Sequence, residues 1–319
     1  MISPLVTIGI SCYNASETIT RAITSALSQD WPDIEIVIVD DASTDSSVEI
    51  IKKLTADNPE VRIIEQQTNT GPAGVRNTIL AEAKGEFIAF FDDDDQSLPN
   101  RISEQLNCLQ SYELEHKTRL VACYASGIRK YNNGYTLELN AIGSRGTEKP
   151  NGPMLAEYLL IYRKVKNWFY GSGTPTCSLL VRKSLLEEIG GFDKKLRRVE
   201  DVDLAIRLAL RGGHFIGTQK QLFIQHATNS SDKSPEKNLE AEQALAIKYK
   251  DYLNSIGKFY YARQWPKLRY WHFKNRYGYF LLELAGLLLR YPYSLPRHLL
   301  ATGPRRLLHE RRMKREQTQ

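Results

Sequence analysis

The sequence predicts an α/β protein with a mostly parallel, Rossmann-like sheet flanked by helices, followed by a helical and basic C-terminal region. Over the first hundred residues, short β-rich runs alternate with segments of helical periodicity, the pattern of βαβ units. Two of these runs end in clustered aspartates. Residues 258–319 hold 14 Lys/Arg against 3 Asp/Glu, so the positive charge is concentrated at one end. We therefore expect one domain over residues 1–234 and a second region over residues 235–319.

The first predicted strand is Val6–Ile10, and a helix follows over residues 19–27, where apolar residues recur at helical spacing. Asn14 and Glu17 have the spacing of a capping box that starts this helix. Ile34–Val39 is almost entirely apolar, as expected of a strand whose two faces are both covered.

Three further elements complete this alternating half of the chain. Asp45 can cap a second helix, and Val61–Glu65 is a third strand. Gly71–Ala83 predicts a third helix, which Gly85 stops. Phe87–Phe91 is a fourth strand, so the sheet is expected to consist of right-handed crossover units.

Residues 100–234 are less regular, and residues 131–152 are turn-rich. The elements predicted here are helices at Arg101–Leu109, from Ser184 and at Asp203–Leu210, and strands at Leu120–Tyr124, Cys177–Val181 and Leu222–Gln225.

The composition is that of a globular protein. Of 319 residues, 42% are hydrophobic and 25% charged, which excludes disordered, collagenous and coiled-coil classes. The four cysteines form no CxxC pair, so we expect reduced thiols in a cytoplasmic protein. The N-terminus lacks the features of a signal peptide. The longest apolar run, Tyr279–Leu289, contains Glu283 and is shorter than the ~18 residues of a membrane-spanning helix.

Aspartates directly follow two of the predicted strands. Asp40 and Asp41 follow Ile34–Val39, and a run of four, residues 92–95, follows Phe87–Phe91. In open α/β sheets the ligand crevice lies beyond the carboxyl ends of the strands, so both clusters are expected at one edge. Four adjacent carboxylates repel one another and suit a hard cation such as Mg²⁺ or Mn²⁺ that also holds phosphates. The alternative is a solvated acidic turn.

Two other carboxylate pairs have alternative interpretations. Glu200 and Asp201 can supply a general base if the fold brings them to the metal site, or they can simply cap a helix. Asp40 and Asp41 can bind a ribose or a base, or one of them can hold its own loop through backbone N–H groups.

Six segments together resemble the family 2 inverting glycosyltransferases with the GT-A fold. They are VTIGISCYN, IEIVIVDDASTDSS, NTGPAGVRN, GEFIAFFDDDDQSLP, GGFD and EDVDLAIRLALRGG, in the family's order from Val6 to Gly213. The resemblance implies a nucleotide-sugar donor and direct displacement at the anomeric carbon. The signature of the processive members, Gln-x-x-Arg-Trp, is absent, which favours transfer of a single sugar.

The resemblance also implies roles for residues at the donor site. Asp40 is expected to contact the nucleobase, with Asp41 assisting, and Tyr13 to line the nucleotide pocket. Arg76 is expected near the nucleotide, although a structural ion pair with a strand-end aspartate is an equal alternative. Asp93 is placed at a variable position of the donor site.

The same resemblance implies a metal site and a catalytic pair. Asp92 and Asp94 match the family's metal and ribose contacts, and the extra aspartate leaves their register ambiguous by one. His226 is a further metal ligand, and its nitrogen would favour Mn²⁺ over Mg²⁺. Asp201 matches the catalytic base, with Glu200 beside it.

The aromatic and basic C-terminal region predicts contact with a membrane surface. Residues 258–293 interleave aromatic and basic side chains, a mixture suited to lipid headgroups, and the family resemblance implies a glycan or lipid-linked acceptor. We therefore expect a peripheral enzyme on the inner face of the membrane, with no nucleic acid partner. The alternative is a helical pair packed on the protein with a solvated tail.

Two other functions are weighed against glycosyl transfer. A sugar nucleotidyltransferase also uses a doubly wound sheet and carboxylate-bound metal, but the loop after the first strand, SCYNAS, has no Gly, Lys or Arg to hold a triphosphate. A non-catalytic module binding nucleotide or nucleic acid is disfavoured, because the aspartates of the enzyme family are retained.

Overall fold

The computed structural model describes residues 3–227 and 234–303, and it has an α/β fold. The strands are β1 Val6–Cys12, β2 Ile34–Asp40, β3 Val61–Glu65, β4 Phe87–Asp92, β5 Gln96–Ser97, β6 Val121–Lys130, β7 Thr136–Leu139, β8 Leu179–Arg182 and β9 His214–His226. The helices are α1 Ile19–Leu27, α2 Ser47–Thr55, α3 Gly71–Glu82, α4 Arg101–His116, α5 Gly152–Ile161, α6 Lys183–Glu188, α7 Glu200–Leu210, α8 Pro235–Lys248, α9 Lys250–Ser255, α10 Phe259–Phe273 and α11 Tyr277–Arg290.

The strands form one sheet in the order β3-β2-β1-β4-β8-β6-β9-β5, with β7 paired to β6. Strands β3, β2, β1 and β4 are parallel neighbours, as the alternating pattern predicts. Strand β8 runs antiparallel to both β4 and β6, whereas β6 and β9 are parallel. The predicted fold class, a mostly parallel sheet flanked by helices, is therefore confirmed.

The principal core lies between the sheet and helices α1, α2 and α4. It contains apolar side chains from β1, β2 and β4, such as Ile8, Ile38 and Phe87, all fully buried. Because both faces of the sheet are covered, these strands are almost entirely apolar, and their apolar runs allowed them to be predicted from the sequence. Arg101 is buried among them and donates to Phe90 O, Ser97 Oγ and Gln105 Oε1.

Several local predictions were wrong. Helix α1 has Thr18 as its N-cap, and Asn14 makes no capping box, because its side-chain oxygen accepts the Thr44 N–H at 2.8 Å. Helix α7 begins at Glu200, three residues before the predicted start. Strands β6 and β9 are longer than predicted, and the turn-rich segment contains β7. The predicted strand at Cys177 begins two residues later, after a 3₁₀ turn at Thr176–Ser178.

Chain contacts divide the protein into two compact units. The first contains residues up to Tyr131, Thr136–Leu155 and the segment from Lys166 to the end of β9. The second contains Asn132–Tyr135, Ala156–Val165 and the described residues from 234 onward. The predicted boundary at residue 234 stays a prediction, because two short earlier segments belong to the second unit.

The second unit is helical and contains a buried histidine. His298 is 5% exposed, and its Nδ1 lies 2.8 Å from Tyr261 Oη. Trp265 and Tyr162 stack on its imidazole ring, at centroid distances of 3.3 and 4.6 Å. Burial lowers the pKa of His298 to about 3, so this ring is neutral at physiological pH.

Candidate active site at the carboxyl edge of the sheet

The strand register brings the two aspartate clusters to one edge of the sheet. Cys12 at the end of β1 pairs with Asp40 of β2, and Ser11 pairs with Asp92 of β4. Because β1 lies between β2 and β4 and all three are parallel, Asp40 and Asp92 lie at the same edge. This is the arrangement expected of a ligand crevice in an open α/β sheet.

Asp40 has one carboxylate oxygen engaged and one without a partner. Oδ2 accepts the backbone N–H of Ser43 at 2.9 Å. Oδ1 is buried and has no hydrogen-bond partner among the described residues. Because a buried acceptor without a donor is costly, this oxygen suits an N–H or O–H group of a ligand.

Asp41 holds the start of helix α3. One of its oxygens accepts the Thr70 backbone N–H at 2.7 Å and the Thr70 hydroxyl at 3.1 Å, and the other accepts the Gly71 N–H at 2.9 Å. This is the loop-holding alternative that the sequence left open. Direct donor contact by Asp41 stays a prediction.

The aspartate run is a concentration of negative charge with reduced access to water. Burial, and after it the charges of neighbouring aspartates, raise the pKa of Asp93 and that of Asp95 to about 8. The pKa of Asp92 is also raised by burial, against the opposing effect of Arg76. A divalent cation would relieve this repulsion, so the residues fit a metal site.

Tyr13 lies beside this run, and its place in a nucleotide pocket stays a prediction. Its backbone N–H donates to Asp93 Oδ2 at 2.9 Å, and its side chain is 50% exposed. An exposed aromatic ring next to a crevice is available to stack on a planar ligand group.

Arg76 connects the aspartate run to the Glu-Asp motif. Its guanidinium contacts Glu200 Oε1 at 2.5 Å and Asp92 Oδ1 at 3.7 Å. Arg76 is 8% exposed, so both contacts are shielded from solvent. The ion pair offered as an alternative from the sequence is therefore present, and it brings residues 124 positions apart together.

Asp201 follows Glu200 in the first turn of α7 and has a raised pKa. Burial and the charge of Glu200 raise the pKa of Asp201 to about 6, whereas Arg76 acts to lower it. A carboxyl group poised near neutrality in a crevice can accept a proton from a hydroxyl group. Val199 is the N-cap of α7, but Asp201 Oδ1 accepts the Val202 N–H at 2.7 Å, so this carboxylate also holds a backbone amide of the first turn, and its role as the base stays a prediction.

The structure brings together a set of potential metal ligands that differs from the predicted set. Within the described residues, ligand atoms of Asp92, Asp95 and Cys177 lie within 4.8 Å of one another. The group contains Asp92 but neither Asp94 nor His226. The predicted ligation by Asp94 and His226 therefore stays a prediction.

His226 nevertheless reaches the aspartate run. Its backbone N–H donates to Asp95 Oδ1 at 3.3 Å, and its Nε2 is buried without a hydrogen-bond partner in the described chain. Burial lowers the pKa of His226, and the charge of Asp94 opposes that effect. A neutral imidazole with an unused nitrogen is a suitable metal ligand.

The sequence placed Asp95 in the aspartate run, but it did not reveal the contributions of Cys177 and Gln225. Gln225 Nε2 donates to Asp95 Oδ2 at 3.4 Å and lies 3.8 Å from Cys177 Sγ. Strand β5 pairs with β9, Gln96 with Ile224, and this pairing carries the end of β9 to Asp95. No local pattern marks such a contact between segments 130 residues apart.

The sheet topology and the carboxylate-lined edge define a GT-A type fold. The sequence model described as Glycosyl transferase family 2 matches residues 7–188, more than half of the chain. The protein therefore belongs to glycosyl transferase family 2, as its six motifs predicted.

Named relatives agree with this assignment. Succinoglycan biosynthesis protein ExoO from Rhizobium meliloti is 39% identical over 231 residues, which cover 72% of this chain and 62% of that protein. Chondroitin synthase from Pasteurella multocida is 30% identical over 235 residues, covering 72% of this chain and 22% of the synthase. The chain thus spans less than two thirds of the length of either relative.

A solved structure shares the fold. TarS 1-349 from S. aureus, crystallised in complex with UDP-GlcNAc, superposes with a TM-score of 0.56 at 23% identity. The match covers 76% of this chain and 66% of the TarS chain.

Proposed function

We propose that this protein transfers a single sugar, with inversion, from a nucleoside-diphosphate sugar to a glycan or lipid-linked acceptor. The observation that carries the proposal is the pair of contacts made by Arg76. They unite the aspartate run at the end of β4 with Glu200, and thereby with Asp201, in one crevice. Phosphate binding and proton abstraction need these two groups side by side.

The donor is proposed to be a UDP-sugar. The unsatisfied Oδ1 of Asp40 is available to accept an N–H group from a nucleobase, and the exposed ring of Tyr13 is available for stacking. The UDP-GlcNAc complex of TarS, which has the same fold, supports this choice of nucleotide.

In the proposed reaction, Asp201 removes the proton of the acceptor hydroxyl as the oxygen attacks the anomeric carbon. The bond from that carbon to the diphosphate oxygen breaks in the same step, so the configuration inverts. Arg76 holds Glu200 and limits the rise in the pKa of Asp201, which keeps the base ionised at neutral pH.

A divalent cation, Mn²⁺ or Mg²⁺, is proposed to neutralise the leaving diphosphate when bound. Asp92 would hold it together with Asp94 or Asp95, and His226 Nε2 would be a further ligand. A nitrogen ligand favours Mn²⁺.

The test of this proposal is thermal melting of the full chain with nucleoside diphosphates, each with and without Mn²⁺. A ligand at about a hundred times its dissociation constant stabilises the native state by about 2.7 kcal/mol. We expect UDP to raise the melting temperature only with metal, and Asp92→Ala to abolish the shift. Asp57→Ala, at an exposed aspartate outside the crevice, is the matched control. A shift with triphosphates alone would favour a nucleotidyltransferase instead.

Membrane-surface contact is proposed through the second unit. No described helix is long and apolar enough to cross a bilayer. On α11, however, leucines at helical spacing are exposed, with Leu282 at 72% and Leu289 at 86%. Leu281 and Leu288 extend the same stripe, and Arg276 and Arg290 flank it. An apolar stripe bordered by cations suits the surface of an anionic bilayer on the cytoplasmic side.

Flotation of the full chain with phosphatidylglycerol vesicles tests this contact. We expect binding that decreases with salt and is lost on combining Leu282→Glu with Leu289→Glu. Leu114→Glu is the matched control, because Leu114 on α4 is equally exposed, at 81%, in the first unit. Equal flotation of all three proteins would leave α11 without this role. Residues 304–319, which carry part of the predicted basic surface, lie outside the described residues.

A further inference from the structure

A second pocket lies beside the carboxylate cluster, within the first unit. It encloses about 430 Å³ of space free of protein atoms, including solvent at its mouth. Cys177, which belongs to the group with Asp92 and Asp95, lines one end. Tyr124 lines it as well, and the charge of Asp201 adds to the effect of burial in raising the pKa of that phenol. Through Cys177 the pocket therefore borders the proposed metal site.

One wall of the pocket is a single face of three neighbouring strands. Gly127 of β6 pairs with Phe223 of β9 and with Leu139 of β7, and Arg129 pairs with Gln225 in the next such row. Residues two apart on a strand point to the same face, so these side chains line one surface. A Cβ at Gly127 would lie 2.5 Å from the Phe223 ring, so glycine allows the ring to cover the backbone here.

The loop that precedes the 3₁₀ turn forms another wall. Ser172 and Gly173 contribute to this wall, and the Ser172 N–H donates to Asn140 O at 2.8 Å. Gly171 has φ +52°, and a Cβ there would lie 2.1 Å from Asn140 O. Only glycine permits this close approach, so the loop is fixed against the end of β7.

Arg129 is the cationic side chain among the residues that line the pocket, and its hydrogen-bond partner is a neutral amide. Its Nε donates to Gln225 Oε1 at 2.7 Å, and its Nη2 donates to the same oxygen. Gln225 is neutral, and its Nε2 faces Asp95 at 3.4 Å. The amide thus stands between the guanidinium and the aspartate run. Neither an ion pair of Arg129 nor a partner for its Nη1 is found within residues 3–227 and 234–303.

Arg129 is partly buried and is hydrogen-bonded to a neutral amide, so its positive charge is available to an anionic ligand. Guanidinium groups bind carboxylates and phosphates through paired hydrogen bonds, which are stronger than those to neutral groups. The apolar side chains of Phe223 and Leu139 complement the carbon face of a ring, and Asn140 and Ser172 offer hydrogen bonds to hydroxyl groups.

We propose that this pocket binds the acceptor, and that Arg129 selects an acceptor sugar bearing an anionic group, either a carboxylate or a phosphate ester. The inference rests on the proposed glycosyl transfer, because it assigns the pocket beside the proposed metal site to the acceptor. Arg129 acts as a specificity-determining residue that contacts the acceptor away from the reacting hydroxyl.

Binding of three monosaccharide probes to the full chain, with UDP and Mg²⁺ present, tests the proposal. Methyl β-D-glucuronide and glucose 6-phosphate carry the two anionic groups, and methyl β-D-glucoside is the neutral counterpart. We expect saturation-transfer NMR titrations to give at least one anionic probe an affinity about tenfold or more above that of the glucoside. The anion that binds identifies the group that Arg129 recognises.

Substitutions of Arg129 distinguish the contribution of its charge to probe binding from the contribution of its packing. Arg129→Met should reduce binding of the anionic probe to that of the glucoside, and Arg129→Lys should restore part of the difference. Arg119→Met, at an exposed arginine before the other end of β6, should change nothing. Equal binding of charged and neutral probes, or anion binding that survives Arg129→Met, overturns the proposal.

The UDP-induced melting shift, measured on the same samples, decides the proposed function separately. An intact shift in Arg129→Met also shows that this variant is folded. Loss of anion selectivity with an intact shift supports the pocket assignment. Absence of the shift in the wild-type chain would overturn the donor assignment, whereas the probe titrations would still decide whether Arg129 binds anions.

Discussion

At the scale of single residues, the protonation state of Asp201 controls the proposed reaction. Burial first and the charge of Glu200 second raise the pKa of Asp201 to about 6. A general base works only when deprotonated, so kcat/KM should fall as the pH decreases through about 6 and level off above it. Asp201→Asn should lose about 10²- to 10⁴-fold in kcat while keeping the UDP-induced melting shift. A variant that turned over normally would remove Asp201 from the reaction.

Arg76 should influence this pH profile without touching the acceptor. Its charge lowers the pKa of Asp201, so Arg76→Met should shift the acidic limb of kcat/KM to higher pH. Arg76→Lys keeps the charge and should keep the limb close to its original position, even if it loses activity through poorer geometry. A purely structural role for Arg76 predicts lower activity at every pH with an unmoved limb.

At the scale of elements, Asp41 fixes the start of helix α3 to the end of β2. Its carboxylate accepts hydrogen bonds from two backbone amides and one hydroxyl at that helix start. Asp41→Ala leaves these donors without a partner in a buried position, which should cost about 1–3 kcal/mol of unfolding free energy. Urea denaturation measures this loss. The exposed Asp57→Ala should change stability by about 0.5 kcal/mol or less, and an equally small effect at Asp41 would contradict its capping role.

Local patterns predicted the elements of the first hundred residues because each one carries its own signal. Strands β2 and β4 are covered on both faces, and their apolar runs reflect that burial. Strand β9 has no such run in its centre, where Thr218–Gln221 is polar. It continues as a strand because it pairs along β6, with a register irregularity near Ser126. The length of such a strand depends on its partner strand and cannot be predicted from its own residues.

The candidate site likewise contains some residues that a local sequence pattern marks and others whose role depends on strand pairing. Asp40, Asp92 and Asp201 could be found from the sequence because each lies at the end of a patterned strand or the start of a helix. Arg129 and Gln225 could not, since each is an ordinary polar residue in a strand. Their significance arises from cross-strand pairing and from the pocket that this pairing lines.

At the scale of the whole molecule, the aspartate run should make stability depend on pH and metal together. In the folded state the pKa of Asp93 and that of Asp95 are raised to about 8, from an ordinary value of 3.8. Between these pH values the folded protein binds more protons than the unfolded chain. Stability without metal should therefore fall as the pH rises from about 4 to about 8.

A divalent cation competes with those protons, so its stabilising effect should change with pH in the opposite direction. Metal binding requires ionised carboxylates, and ionising them costs least near pH 8. Melting temperatures at pH 6 and pH 8, with and without Mn²⁺, measure the effect, and we expect the larger metal-induced increase at pH 8. Asp93→Asn removes one of the raised groups, so it should reduce the pH dependence of the metal-free protein. If Mn²⁺ stabilised the protein equally at both pH values, the cation would bind away from these carboxylates, and the proposed role of the aspartate run in holding the leaving diphosphate would fail with it.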